Sequence, residues 1–197
     1  MLKVALTGGI ATGKSYVLAR LNDRGVPTID ADAIVHDALG PGTDTTRAIA
    51  AQFGSALLKP DGSIDRPLLG TRVFADAETR LRIEAIVHPV VWETIVKWYD
   101  ALDRPMGVAS VPLLYETKRE GDFDFVVVTV CPPEMQLQRL VERDRLPMEQ
   151  ALQRIAAQMP AEEKARRADF VIQTAGTMLA TDRQVDELVI ALDRVRP

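Results

Sequence analysis

The chain has 197 residues, 47% of them hydrophobic, which suffices for one α/β domain with an insertion and excludes an intrinsically disordered chain. A net charge of −4 argues against a general nucleic-acid binder, and a single cysteine, Cys131, excludes an intramolecular disulfide. No apolar stretch approaches the ~20 residues that cross a bilayer, and the first strand begins almost at the N-terminus, so a cytoplasmic protein with no membrane partner and no signal peptide is expected.

Residues 2–7 read as a strand, and Gly8-Gly9-Ile10-Ala11-Thr12-Gly13-Lys14-Ser15 follow it directly. This is the pattern G-x-x-x-x-G-K-[ST], whose successive backbone N–H groups wrap a nucleotide phosphate. Lys14 is expected to reach the β- and γ-phosphates, and the Ser15 hydroxyl to ligate Mg²⁺. The helix expected over residues 14–24, with Val17, Leu18 and Leu21 on one face and Gly25 as its stop, turns its positive dipole end toward the anion. Strand, loop and helix are the context the pattern needs, so nucleoside triphosphate binding by residues 8–15 and the adjoining Tyr16 is expected.

A short apolar strand over 26–29 runs into Asp30-Ala31-Asp32. Read as strand, the alternation puts Asp30 and Asp32 on one side, so spacing does not separate them. Either carboxylate suits a base for an attacking hydroxyl, and either suits a helix cap. Residues 34–104 are too long for one crossover helix. They read as an inserted helical subdomain, with turns at Gly40-Pro41-Gly42 and Lys59-Pro60-Asp61-Gly62 and apolar stripes at Leu81, Ile86, Val87 and at Val91, Ile95, Trp98 on either side of Pro89. This is a natural place for a second substrate. His88 reads as a structural residue by default. With only His36, His88 and Cys131 available, a zinc site is not supported, and no G-x-S-x-G elbow supports a serine hydrolase.

Strands are expected over 107–111, 125–130 and 170–172, the second a nearly continuous β-branched run. Between the last two lies an Arg-rich excursion, 134–167, with breaks at Pro147 and Pro160, which suits a mobile lid over phosphates. Arg139 and Arg143 stand one helical turn apart, while Glu142 and Asp144 offer local counter-charges, so spacing leaves open a phosphate-facing pair or a solvated helix face. The basic cluster continues through Arg154, Lys164, Arg166 and Arg167. A final helix carries Val185, Leu188, Val189, Leu192 and Val195 on one face. Strands alternating with helices predict an α/β fold, a parallel five-stranded sheet covered by helices, with ligands at the carboxyl ends of the strands near Asp32 and residues 112–116.

Taken together the segments resemble the dephospho-CoA kinase family. The resemblance is carried by Leu6-Thr7-Gly8-Gly9-Ile10 through Ser15, Ile29-Asp30-Ala31-Asp32, Ile86-Val87-His88-Pro89, Val111-Pro112-Leu113-Leu114-Tyr115-Glu116, and Phe123-Asp124-Phe125-Val126-Val127-Val128. It continues through Gln138-Arg139-Leu140, Arg143-Asp144, Gln158 and Ala168-Asp169-Phe170-Val171-Ile172, and so covers residues 2–175. It implies a P-loop kinase fold with a core (1–33, 105–133, 168–197), a helical CoA-binding subdomain (34–104) and a lid (134–167). The implied reaction is transfer of the ATP γ-phosphate to the ribose 3′-hydroxyl of dephospho-CoA, the last step of coenzyme A synthesis, with Mg²⁺. The resemblance selects Asp32 as the base, makes Arg139 and Arg143 catalytic lid residues beside Lys14, and makes Arg82, His88 and Glu116 candidates on the acceptor side. Another small-molecule P-loop kinase, such as a nucleoside monophosphate kinase, is the alternative, and a regulatory P-loop NTPase a more distant one. Three positions depart from the family's pattern. Ala11-Thr12 replace a frequent Gly-Ser, Tyr115 replaces a usual Phe, and Gln173-Thr174 stand where an Asn is common.

Overall fold

The structure, a computed structural model, describes residues 1–195, with the backbone alone for Phe74 and Ala75; the last two residues of the expected core segment 168–197 lie outside the described residues. It divides into two compact units, Met1–Asp30 with Leu102–Pro197, and Ala31–Ala101. The expected boundaries were 34 and 104; segment 134–167 groups with the first unit.

The first unit is built on five strands: β1 (Leu2–Gly8), β2 (Thr28–Asp30), β3 (Met106–Ser110), β4 (Phe125–Val130) and β5 (Phe170–Gln173). All pairings are parallel, in the order β2-β3-β1-β4-β5, with Leu6 beside Ser110 and Gly8 beside Thr129. The central strands carry continuous apolar runs because helices cover both faces. Val4, Leu6, Val108 and Val127 are fully buried, and Val17 and Leu21 of helix α1 (Lys14–Asp23) join them in one core. Three helices fill the excursion between β4 and β5: α6 (Pro133–Asp144), α7 (Met148–Ala156) and α8 (Ala161–Arg167). Each starts directly after a proline, Pro132, Pro147 or Pro160, so the expected breaks act as starts. Their fixed φ preorganises entry into a helix. Helix α9 (Met178–Arg194) packs Val185, Leu188 and Leu192 into the core, next to α1 and β5.

The second unit holds four helices, α2 (Ala31–Ala38), α3 (Asp44–Phe53), α4 (Arg66–Ala75) and α5 (Ala77–Asp100), with α2, α3 and α4 all packed on α5. Side-chain caps define the starts: Thr43 accepts from Thr46 N, Asp65 from Leu68 N, and Asp76 from Glu78 N and Thr79 N. Helix α5 runs unbroken through Pro89. An interior proline removes one hydrogen bond and costs about 3 kcal/mol. Here the buried row Ile83, Val87, Val91, Ile95 and Tyr99, spaced four residues apart, offsets it. That row also corrects the stripes read from sequence, since Leu81 is 61% exposed and Tyr99, not Trp98, is the buried aromatic.

A second correction concerns the acidic pair. Asp30 ends β2, paired in register with Ser110, whereas Asp32 lies exposed in the first turn of α2. Strand alternation therefore does not relate them.

Candidate functional site

Residues 8–15 form the connection from β1 to α1. Gly13 stands at the helix N-cap with φ +92°, a left-handed conformation that an L side chain adopts only under strain. A Cβ there would also lie 3.1 Å from Thr174 Cγ2. The first turn of α1 contains no acidic residue, and the N–H groups and dipole of a first helical turn favour an anion. The Lys14 ammonium donates to Gly8 O and Gly9 O, both at 3.2 Å, and so lies against the loop backbone, where an anion in the loop would meet it.

Threonines lock the loop from below. Thr12, fully buried, donates its hydroxyl to Gly9 O at 2.8 Å. Its proton being spent there, the 2.8 Å contact with Thr129 Oγ1 has Thr129 as donor. Thr174 donates to Thr12 O at 2.8 Å. Thr174 in turn accepts from Arg139 Nη1 at 3.0 Å through its hydroxyl, and from Nη2 at 2.6 Å through its carbonyl. Arg139 thereby walls a cavity of about 290 Å³ with Gly13, Tyr16, Thr174 and Gly176, opening beside the loop. Burial and then the Asp182 carboxylate, which accepts from Tyr16 Oη at 2.9 Å, push the Tyr16 phenol above its ordinary value. Burial likewise pushes the nearby Cys131 thiol up, so it is a small apolar residue rather than a nucleophile.

Arg139 and Arg143 have different surroundings. Arg143, more than half exposed, forks onto Asp144 through Nε at 2.7 Å and Nη2 at 3.1 Å, and Arg154 reaches the same carboxylate at 3.3 Å. The Arg143 hydrogen bonds hold Asp144 below the usual carboxylate range. Of the residues expected on the acceptor side, Glu116 belongs to the sheet unit, in the loop after β3, whereas Arg82 and His88 lie on α5 and Asp32 on α2. Arg82 covers the Phe53 ring at 5.0 Å, and His88 is half-buried beside Pro89.

Several polar residues at the loop were not singled out for a role from sequence. Lys164 was grouped only with the basic cluster, yet it is fully buried. Its ammonium donates to Pro112 O and pairs with Glu116 Oε1, both at 2.8 Å. Burial holds it below the ordinary lysine value despite that partner. Gln136 and Gln158 both bond the backbone of Ile10. No periodicity marks such residues, because their partners lie far away in the chain.

A family model described as dephospho-CoA kinase matches residues 2–179. The chain is 45% identical to a dephospho-CoA kinase of Anaeromyxobacter dehalogenans over 195 residues, spanning 98% of this chain and 92% of that protein. Its fold matches a crystal structure of a Thermus thermophilus protein with a TM-score of 0.86 and 31% identity over 97% of each chain. It also matches the dephospho-CoA kinase of Campylobacter jejuni with a TM-score of 0.72 and 29% identity, over 98% of this chain and 97% of that one.

Proposed function

The chain belongs to the dephospho-CoA kinase family, and from that membership we propose that it transfers the γ-phosphate of ATP to the ribose 3′-hydroxyl of dephospho-CoA, giving ADP and coenzyme A. The observation that carries the reading is the family match over residues 2–179, which includes the phosphate loop and every residue assigned below. Residues 8–15 cradle the ATP phosphates, with Lys14 neutralising charge on the β,γ-bridge and terminal oxygens. Tyr16, Arg139, Thr174 and Gly176 wall the cavity beside the loop, which we assign to the nucleoside. Arg139, held by two hydrogen bonds to Thr174, is assigned to the nucleotide, with Arg143 as a second guanidinium on the same helix.

The cation fits Mg²⁺. Among the described residues no group of three or more His, Cys, Asp or Glu could hold a metal ion. A cation held by substrate phosphates, the exposed Ser15 hydroxyl and water suits an ion that dehydrates reluctantly. When bound it supplies charge neutralisation across the transferring phosphate.

Asp32 is the base. It accepts the proton of the 3′-hydroxyl as that oxygen bonds to the γ-phosphorus and the bond from phosphorus to the ADP oxygen breaks. Arg82, His88 and Glu116 are assigned to the acceptor, Ala31–Ala101 to acceptor binding and 134–167 to the lid. No helix among the described residues is long and apolar enough to cross a membrane.

The test is product analysis with ATP and dephospho-CoA, with ATP and nucleoside monophosphates, and with ATP alone. Coenzyme A and ADP forming in equal amounts only in the first mixture support the reading. Phosphorylated monophosphates, or ADP without an acceptor, overturn it.

A further inference from the structure

The phosphate loop contains a strained residue that something must hold. Ala11 has φ +59°, the left-handed region, which costs a non-glycine residue about 1–2 kcal/mol. Such a conformation persists only where its surroundings over-determine it. The residue before it, Ile10, is gripped on both sides. Its N–H donates to Gln158 Oε1 at 2.8 Å, and its carbonyl accepts from Gln136 Nε2 at 2.8 Å. The Gln136 bond holds the peptide plane entering Ala11, and the Gln158 bond holds the plane before it, so the peptide units on both sides of Ile10 are tethered. Gln136 is buried and packs so closely over the loop that a Cβ on Gly9 would lie 2.7 Å from its Nε2.

Gln158 is itself anchored through the residue after it. Met159 N donates to Glu116 Oε1 at 2.9 Å, and the buried Lys164 ammonium pairs with that same oxygen. Residues 158 and 159 thus bridge the phosphate loop and the loop after β3, from the short connection between α7 and α8.

We propose that Gln158, with Gln136 opposite it, is a positioning residue that holds the phosphate loop in its nucleotide-binding conformation by clamping Ile10. This rests on the kinase reading above, and neither glutamine touches the reacting atoms. Freed of the clamp, the loop samples relaxed conformations of Ala11, and ATP must reorder it on binding.

The experiment compares steady-state kinetics of the wild type, Gln158→Met, Gln158→Asn and Gln136→Met, with hydrogen–deuterium exchange across the loop. Methionine keeps the side-chain length without the amide, and asparagine keeps the amide but falls short of Ile10. Each variant is expected to raise the KM for ATP about tenfold, the worth of one buried hydrogen bond left unmade. The KM for dephospho-CoA should stay within about twofold, since the substituted side chains bond the donor loop and the Glu116 contact is made by the Met159 backbone, which the variants keep. Exchange in the loop should rise. A lowered melting temperature with an unchanged KM for ATP, or equal changes in both KM values, assigns the glutamines to folding alone and overturns the proposal. Where Gln158→Met does not fold, Gln158→Asn and Gln136→Met carry the same comparison. Absence of coenzyme A formation by the wild type would instead overturn the kinase reading.

Discussion

Gly8→Ala is expected to be among the most destabilising single-methyl changes in the sheet unit. A Cβ at Gly8 would stand 2.4 Å from Thr129 Oγ1, 2.7 Å from Thr129 O and 2.8 Å from Thr12 Oγ1. The hydroxyls can swing aside, at the expense of the Thr12–Thr129 bond beneath the loop. The Thr129 carbonyl cannot, because Gly8 and Thr129 are register partners and moving one parts β1 from β4. Overpacking of this kind costs about 1–3 kcal/mol. The φ of +150° adds about 1–3 kcal/mol for a residue with a side chain. The total is about 2–6 kcal/mol, against an expected global stability of about 5–15 kcal/mol. Gly25→Ala is the control, since its φ is also positive, at +76°, but a Cβ there meets nothing within 4 Å. It should lose only the conformational part, about 1–2 kcal/mol. Urea unfolding followed by circular dichroism measures both, with an unchanged m-value licensing the comparison. If the two variants lie within about 0.5 kcal/mol of each other, the resolution of additive stability effects, the steric argument at Gly8 is wrong.

Lys14→Ala should lose on the order of 10²-fold or more in kcat, as a preorganised charge stabiliser does, and near-normal turnover would remove its assigned role. Asp32→Asn should cripple transfer while ATP binding, read by titration with a fluorescent analogue, stays largely intact; a damaging Asp30→Asn beside a silent Asp32→Asn would reverse the assignment. Lys164→Met leaves the Glu116 carboxylate without its cation and should cost about 3 kcal/mol of stability at neutral pH. Its pH dependence has a definite sign. Burial lowers the folded pKa of Lys164 below the ordinary value of 10.5, so between the two values the unfolded chain binds more protons than the folded one. Wild-type stability therefore gains a rising contribution as pH climbs through that window, and the variant lacks it. A stability difference between them that is flat on the alkaline side up to 10.5 contradicts the burial argument.

The elements were legible where local pattern decides them. The glycines and Lys14 at fixed spacing, the strand before them and the one-sided helix after them declared the phosphate loop. The β-branched run at 125–130 gave a buried strand because neighbours cover both its faces. The two stripes read on either side of Pro89 belong to one helix, since the penalty of an interior proline is local while the apolar row that carries α5 across it runs from Ile83 to Tyr99. Lys164 is the opposite case. In sequence it is one basic residue among several, and only the fold brings Glu116 and Pro112 to it from about fifty positions away. The Gln158 to Ile10 bond joins residues 148 positions apart, and Thr12 meets Thr129 across 117. Periodicity encodes which face is buried; it carries no record of which polar side chain crosses to which backbone group.

The acidic pair is where both kinds of information are needed together. Sequence offered two carboxylates and two uses, a base and a helix cap. The structure separates them by element, Asp30 at the end of β2 and Asp32 exposed in the first turn of α2, where the helix dipole favours an anion. That placement gives the capping role a physical basis for Asp32, the same residue that is proposed as the base. The magnitudes part the two. An exposed carboxylate in a first helical turn contributes about 0.3–1 kcal/mol to stability and nothing specific to turnover. A base that orients or deprotonates the attacking hydroxyl contributes about 10²–10⁴-fold in rate. Asp32→Asn keeps the shape and removes the charge. A loss of stability under about 1 kcal/mol accompanied by a loss of kcat beyond about a hundredfold belongs to a base. The same small loss of stability with turnover unchanged belongs to a cap, and the proton acceptor would then have to be sought at another residue.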